Sequence, residues 1–222
     1  MDVGLWAPMS TEEGAVTPVR RSAADETAAR TALLDAAEEL MVSEGYAAVT
    51  TRRIAAKARL NSALVYYYFD TMDGLFIALF RRGAERTRER WKRMLASPQP
   101  LWGCWDLLRD ESTTARTMEF IALANHRKAI RAEIADAART FHRVQLKTLR
   151  GVLAGYGLDP EQWPPASLIV ILTGIARYLL IEQTFDVDLG HAETVALVER
   201  HIRALEGERR PAPADVPATS LP

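Results

Sequence analysis

TTRRIAAKARLNSALVYYYF, residues 50–69, reads as two short helices joined by a tight turn. Thr50 or Thr51 supplies a hydroxyl that can cap the free N–H groups of the first helix. Ile54, Ala55 and Ala58 recur at helical spacing and make a small apolar face, outside which lie Arg52, Arg53, Lys57 and Arg59. Asn61 offers a second cap, and Ala63, Leu64, Val65 and Tyr66 start the second helix. Leu60, between the two caps, pins the turn to a core. Tyr66, Tyr67 and Tyr68 in succession put a phenol on most sides of the second helix, more than its packing needs. A basic first helix crossed by a hydroxyl-rich second one has the form of a helix-turn-helix that enters a major groove.

Outward from this unit the pattern stays helical. Leu33, Ala37, Leu40 and Met41 line one face of a helix from about Ala23 to Glu44, which Gly45 ends. Asp70 and Thr71 mark a break and a cap before a long helix from Met72 to about Ala96. Leu75, Phe76, Leu79 and Phe80 give that helix a core stripe, while the alternating charge of Arg81 to Arg93 reads as a solvated face. Pro98 and Pro100 make a linker. Further helices are expected over Leu101 to Arg109, Thr113 to His126, Ala129 to Ala154, Ala166 to Phe185 and Ala192 to Leu205. No strand-like alternation and no internal repeat appears.

Gly45-Tyr46, Thr50-Thr51, Ile54-Ala55, Leu60, Tyr66, Phe69 and Leu75-Phe76 together resemble the DNA-binding domain of tetracycline-repressor (TetR) type regulators, over roughly Thr27 to Thr87. The resemblance implies an all-α fold of about nine helices. An N-terminal three-helix helix-turn-helix domain (residues 23–71) would precede a helical ligand-binding and dimerisation domain (72–206), flanked by a disordered arm (1–22) and tail (207–222). It also implies DNA contacts from Thr50, Thr51, Arg52, Asn61, Ser62, Ala63, Leu64, Tyr66 and Tyr67. Arg52 either reads a guanine through O6 and N7 or holds a phosphate. Ala63 or Leu64 would touch a thymine methyl, and Tyr66 would donate to a phosphate. Two positions depart from the family: Arg59 stands where it favours Gly, and Met72 where it often has Lys.

Composition sets limits on the alternatives. A chain of 222 residues with 28 Lys+Arg against 29 Asp+Glu is balanced in charge, which argues against a protein that coats nucleic acid non-specifically. The N-terminus lacks a secretory pattern, and the longest apolar run, Ala166 to Ile181, is broken by Arg177, so neither secretion nor a membrane span is expected. The single cysteine, Cys104, fits a reducing cytoplasm. Flanked by Trp102 and Trp105, it reads as packing. His126, His142, His191 and His201 lack the close spacing of a metal site, and no catalytic motif is present, so no metal, cofactor or catalytic residue is expected.

Trp102, Trp105, Phe120, Phe141 and Tyr178 fall on helices that in the family surround a ligand cavity, with His126 as a polar contact. They are the candidate binders of a hydrophobic small molecule, although core packing accounts for the same residues. Leu168, Ile169, Val170, Ile171, Leu172, Ile175, Leu179, Leu180 and Ile181 make one helix apolar on most sides. Such a helix needs cover on both sides. A homodimer through 166–185 and 192–205, joined by Val195, Leu197, Val198 and Ile202, would provide it. The expectation is a cytoplasmic repressor, released from a palindromic DNA operator by a hydrophobic effector. A helical enzyme and a DNA-architectural protein are the rival classes.

Overall fold

Apolar residues from Leu33 to Met41 at three- and four-residue spacing bury one side of α1 (Ala23–Glu44), with Leu33, Ala37 and Met41 fully enclosed. The computed structural model describes residues 23–210, so the expected arm (1–22), with Arg20 and Arg21 near its end, and all but the first four residues of the expected tail (207–222) lie outside the described residues. Gly45 ends α1 at φ 84°, in the left-handed region that favours glycine. A 3₁₀ turn over Tyr46–Ala48 then leads to Thr50, whose Oγ1 accepts from the Arg53 N–H at 3.4 Å and opens α2 (Thr51–Ala58).

The turn out of α2 passes through Arg59 at φ 55°, ψ 41°. A side chain in that region costs roughly 1–2 kcal/mol. Arg59 is held there by hydrogen bonds from its own N–H to the carbonyls of Ala55 and Ala56. Asn61 Oδ1 accepts from Ala63 N at 2.8 Å and starts α3 (Ala63–Phe69). Thr71 Oγ1 caps α4 (Met72–Leu95) by accepting from Gly74 N at 3.0 Å. The second half follows as α5 (Pro100–Leu108), α6 (Glu111–His126), α7 (Lys128–Gly155), α8 (Pro165–Gln183) and α9 (His191–Glu206). No strand occurs among the described residues.

Most helix ends fall within a residue of expectation, and two boundaries differ by two residues. The helix expected from Thr113 begins at Glu111, because Asp110 Oδ1 accepts from Thr113 N at 2.7 Å and so caps it. The helix expected to reach Phe185 ends at Gln183, leaving Phe185 outside and 71% exposed.

Two cores organise the helices. The larger joins α1–α4 through Ile54, Val65, Phe69, Leu75 and Phe76, and continues into Phe120 and Leu123 of α6 and Ile130 of α7. The helix-turn-helix is therefore packed on the second half through shared apolar contacts. The smaller core gathers Trp102 and Trp105 of α5, Ala176 of α8, and Val198 and Ile202 of α9. At Gly103 a Cβ would come within 2.4 Å of Met94 Cγ, so glycine lets α5 cross α4 closely. By length and composition alone α8 meets the requirement for a membrane span, yet Ala176 and Leu179 bury its inner side in the protein.

Candidate functional site

The reading head is built by two caps and a buried wedge. Ile54, Val65 and Phe69 sit in the core at 0%, 0% and 5% exposure and fix how α2 crosses α3. Packing these three residues inward turns Arg52, Ser62, Ala63, Tyr66 and Tyr67 out to solvent. Arg53 and Lys57 are engaged by Glu44 at 2.6 Å and Glu39 at 2.5 Å, whereas Arg52 has no ion pair among the described residues. Thr50 and Asn61 are exposed and act as caps. Thr51 is half-buried, its hydroxyl donating to Tyr66 Oη at 3.4 Å. Leu64 is partly buried against the core. Tyr68 turns inward with its hydroxyl buried and unpartnered. Met72, at the start of α4, meets Thr51 at 3.4 Å through its sulfur.

Polar pins tie this head to the second half. Glu38 of α1 is 16% exposed and meets three guanidinium groups: Arg82 at 2.5 Å, Arg86 at 2.9 Å and Arg116 at 2.5 Å. Burial would raise the Glu38 carboxyl, but Arg86, Arg82 and Arg116 outweigh it and hold it below the usual carboxylate range. Asp35 shares Arg82 at 2.6 Å. Glu119 of α6 accepts from Tyr46 N at 2.6 Å, and His126 stacks on the Tyr46 ring with centroids 6.5 Å apart. Arg127 pairs with Asp73 and lies over the Phe76 ring.

Between α4, α6, α7 and α8 lies a cavity of about 260 Å³. Its aromatic walls are two edge-to-face pairs, Phe80 with Phe120 at 5.3 Å and Trp91 with Phe141 at 5.7 Å. Thr87, Thr113, Thr114, Thr117 and Thr173 supply hydroxyls, and Arg88, Arg116 and Arg177 supply positive charge. Trp91 Nε1 is buried without a partner, and Gln145 is 5% exposed with no hydrogen bond to a described residue. No carboxylate, lysine, cysteine or tyrosine among the described residues lines the cavity, and His142 adds an imidazole. Among the described residues no group of three His, Cys, Asp or Glu is placed to hold a metal.

The sequence-based ligand candidates divide here. Phe120 and Phe141 line the cavity. Trp102 and Trp105 do not: they pack the smaller core on the far side of α5, at 3% and 1% exposure. His126 lies at the exposed end of α6 against Tyr46. Tyr178 faces outward from α8, donating to Glu182 at 2.5 Å. Trp91, Arg116 and Gln145 were not anticipated. The stretch around Trp91 is not a simple solvated face, because Phe80, Ala84, Thr87 and Trp91 recur at helical spacing and form a stripe through the charges. Gln145 likewise stands between Phe141 and Leu149, in register with an apolar row.

Cys104 adds no nucleophile, since burial, with the Glu206 carboxylate in support, pushes its thiol up to about 12. The outer side of α8 is apolar and open: Val170, Ile171, Tyr178 and Ile181 are 72%, 53%, 60% and 38% exposed. The inward side holds Leu172, Ile175 and Leu179, with Val195, Val198 and Ile202 of α9, while Leu197 stays 48% exposed.

Comparison with known proteins bears on the head first. The family model described as "Bacterial regulatory proteins, tetR family" matches residues 33–79. The HTH-type transcriptional regulator QacR of Staphylococcus aureus is 31% identical over 61 residues, a match covering 28% of this chain and 32% of that protein. The chain thus matches about a third of that relative's length. The fold is similar over far more of the molecule. A TetR transcription regulator from Haloarcula marismortui superposes with a TM-score of 0.61 at 19% identity, covering 81% of this chain and 98% of that one. A regulator from Saccharomonospora viridis in complex with choline gives a TM-score of 0.62 at 17% identity, covering 80% and 95%.

Proposed function

We propose that this chain, whose residues 33–79 match the TetR family of bacterial regulatory proteins, is a cytoplasmic, ligand-responsive repressor of that family that binds a palindromic DNA operator as a homodimer. The carrying observation is the outward-turned set of Arg52, Ser62, Ala63, Tyr66 and Tyr67, supported from behind by buried Ile54, Val65 and Phe69. In this reading Arg52 reads a base or grips a phosphate from the first turn of α2, and the α3 hydroxyls meet the backbone around the groove. Thr50, Thr51, Asn61 and Leu64 act at the same surface or hold it in shape. The exposed apolar side of α8 pairs with its own copy across a two-fold axis, as isologous interfaces do. That pairing sets the spacing of the two heads.

The cavity is the sensor in this account. Its aromatic walls suit a hydrophobic small molecule, and the pins from Glu38, Glu119 and Arg127 give a bound molecule a route to the head. A ligand acts by favouring a conformation whose heads no longer match successive grooves. The lining lacks a paired acid and base, which favours sensing over catalysis.

Fluorescence anisotropy with a selected duplex tests the reading. Binding should weaken steeply as salt rises, through counterion release. Arg52→Ala should cost about 1–3 kcal/mol and relax preference at one position in each half-site. A uniform loss on every sequence assigns Arg52 to a phosphate. Unchanged binding removes α2 from the interface.

A further inference from the structure

Arg116 belongs to two places at once. It lines the cavity, and its Nη1 donates to Glu38 Oε1 at 2.5 Å across to helix α1. Its Nε and Nη2 carry no hydrogen bond among the described residues. The side chain is 20% exposed, so an ionic contact there is stronger than at an open surface. Around it the cavity presents two further guanidiniums, the unpartnered Trp91 Nε1 and the unbonded Gln145 amide, with no acidic residue in the lining. The three guanidiniums and Trp91 Nε1 can only donate, while the threonine hydroxyls, His142 and the Gln145 amide can serve either way, so the lining as a whole favours a ligand that accepts. A cation such as choline, held by the Saccharomonospora viridis relative, meets no carboxylate here.

We infer that the cavity takes a compact apolar carboxylate, whose anionic group draws Arg116 away from Glu38 and so releases helix α1. The inference rests on the sensor reading above and names its ligand class. A volume of about 260 Å³ lies just under the roughly 300–1,000 Å³ of most small-molecule sites, which favours a ligand of one or two rings or a short chain. Phe80, Trp91, Phe120 and Phe141 enclose the apolar body. Arg88 is paired with Glu85 on its own helix, and Arg177 is exposed. Of the three arginines in the lining, Arg116 is the one ion-paired to α1. A carboxylate bound to Arg116 competes with Glu38 for one guanidinium. It therefore binds better to the state in which the pin is broken, the differential affinity that a switch requires. By reciprocity the DNA-bound state weakens carboxylate binding by the same factor.

The test uses the full chain and two matched triads: 1-naphthoate, 1-naphthamide and 1-naphthylmethylammonium, and octanoate, octanamide and octylammonium. Thermal shift and calorimetry should show a carboxylate binding tighter than its amide, with the ammonium weakest. Arg116→Gln should remove that preference, a loss of roughly tenfold to a hundredfold in carboxylate affinity with little change for the amide. Glu38→Gln should raise carboxylate affinity roughly tenfold, because the competitor is weakened. A purely structural pin would not produce that gain. Equal or tighter binding of an amide or ammonium overturns the inference and leaves the sensor reading standing. Preference that survives Arg116→Gln but falls with Arg177→Gln also overturns it. Silence from all six compounds rejects the carboxylate class, whereas the regulatory reading falls only with the DNA test above. The wild-type triads need no variant to fold.

Discussion

Glu119 of α6 accepts a hydrogen bond from the backbone N–H of Tyr46 at 2.6 Å, joining the turn that precedes the reading head to the helix that walls the cavity. The same carboxylate lies 3.5 Å from where a Cβ on Gly45 would stand. Glu119→Ala leaves the Tyr46 N–H without its partner, which costs about 1–3 kcal/mol. Thermal melting should fall by several degrees, and Glu119→Gln, which keeps an acceptor, should recover most of the loss. A melt unchanged by Glu119→Ala removes this contact from the coupling.

Assembly depends on the outer side of α8. Val170→Glu or Ile171→Arg places a charge on an exposed apolar surface, so the chain should remain folded by circular dichroism yet sediment as a monomer at micromolar concentration. Leu172, Ile175 and Leu179 face inward. Charges there should unfold the protein, which makes them the contrast. Dimers that persist in both outer variants would place the interface elsewhere.

Acid should loosen the α4–α6 junction. Asp110 accepts from Thr113 N, Ser112 Oγ and Arg90 Nη2. Burial would raise its carboxyl, but the bonds from Thr113, Arg90 and Ser112 prevail and hold it well below the usual range. A depressed folded-state pKa gives stability that is present above the unfolded value of about 4 and is lost as pH falls through the folded value. Asp110→Ala should cost about 1 kcal/mol at neutral pH through the lost cap, and its stability should decline less below pH ~4 than the wild type's. Parallel acid profiles would show that Asp110 carries none of this dependence.

Cys104 should be inert. With its thiol pushed up to about 12, alkylation of half-buried Cys104 by iodoacetamide at neutral pH should be far slower in the native chain than after denaturation, since the thiolate is the reactive form. Labelling as fast in the native chain as in the denatured one would contradict the raised thiol pKa.

Much of the head was legible from sequence because its signals are local. Thr50, Asn61 and Thr71 announce helix starts by their own hydroxyl and amide chemistry, and Gly45 announces a stop. Arg59 shows that the turn after α2 keeps its left-handed backbone without glycine, because the helix carbonyls hold its N–H. The cavity was less legible because it depends on how helices dock. Trp102 and Trp91 are both tryptophans beside helical repeats. Only the crossing of α5 over α4 turns the first into the smaller core and the second toward the cavity. The role of Arg116 was hidden for the same reason, since Glu38 lies 78 residues away in the chain.

The central claim is that two copies of this head read one duplex. Selection of duplexes from a randomised pool by the full chain, followed by sedimentation of the protein–DNA complex, measures it directly. The account predicts enrichment of two inverted half-sites whose centres are one helical turn, about 34–36 Å, or a multiple of it apart, with an even number of chains on each duplex. A pool without enrichment, or a single half-site held by one chain, would contradict it.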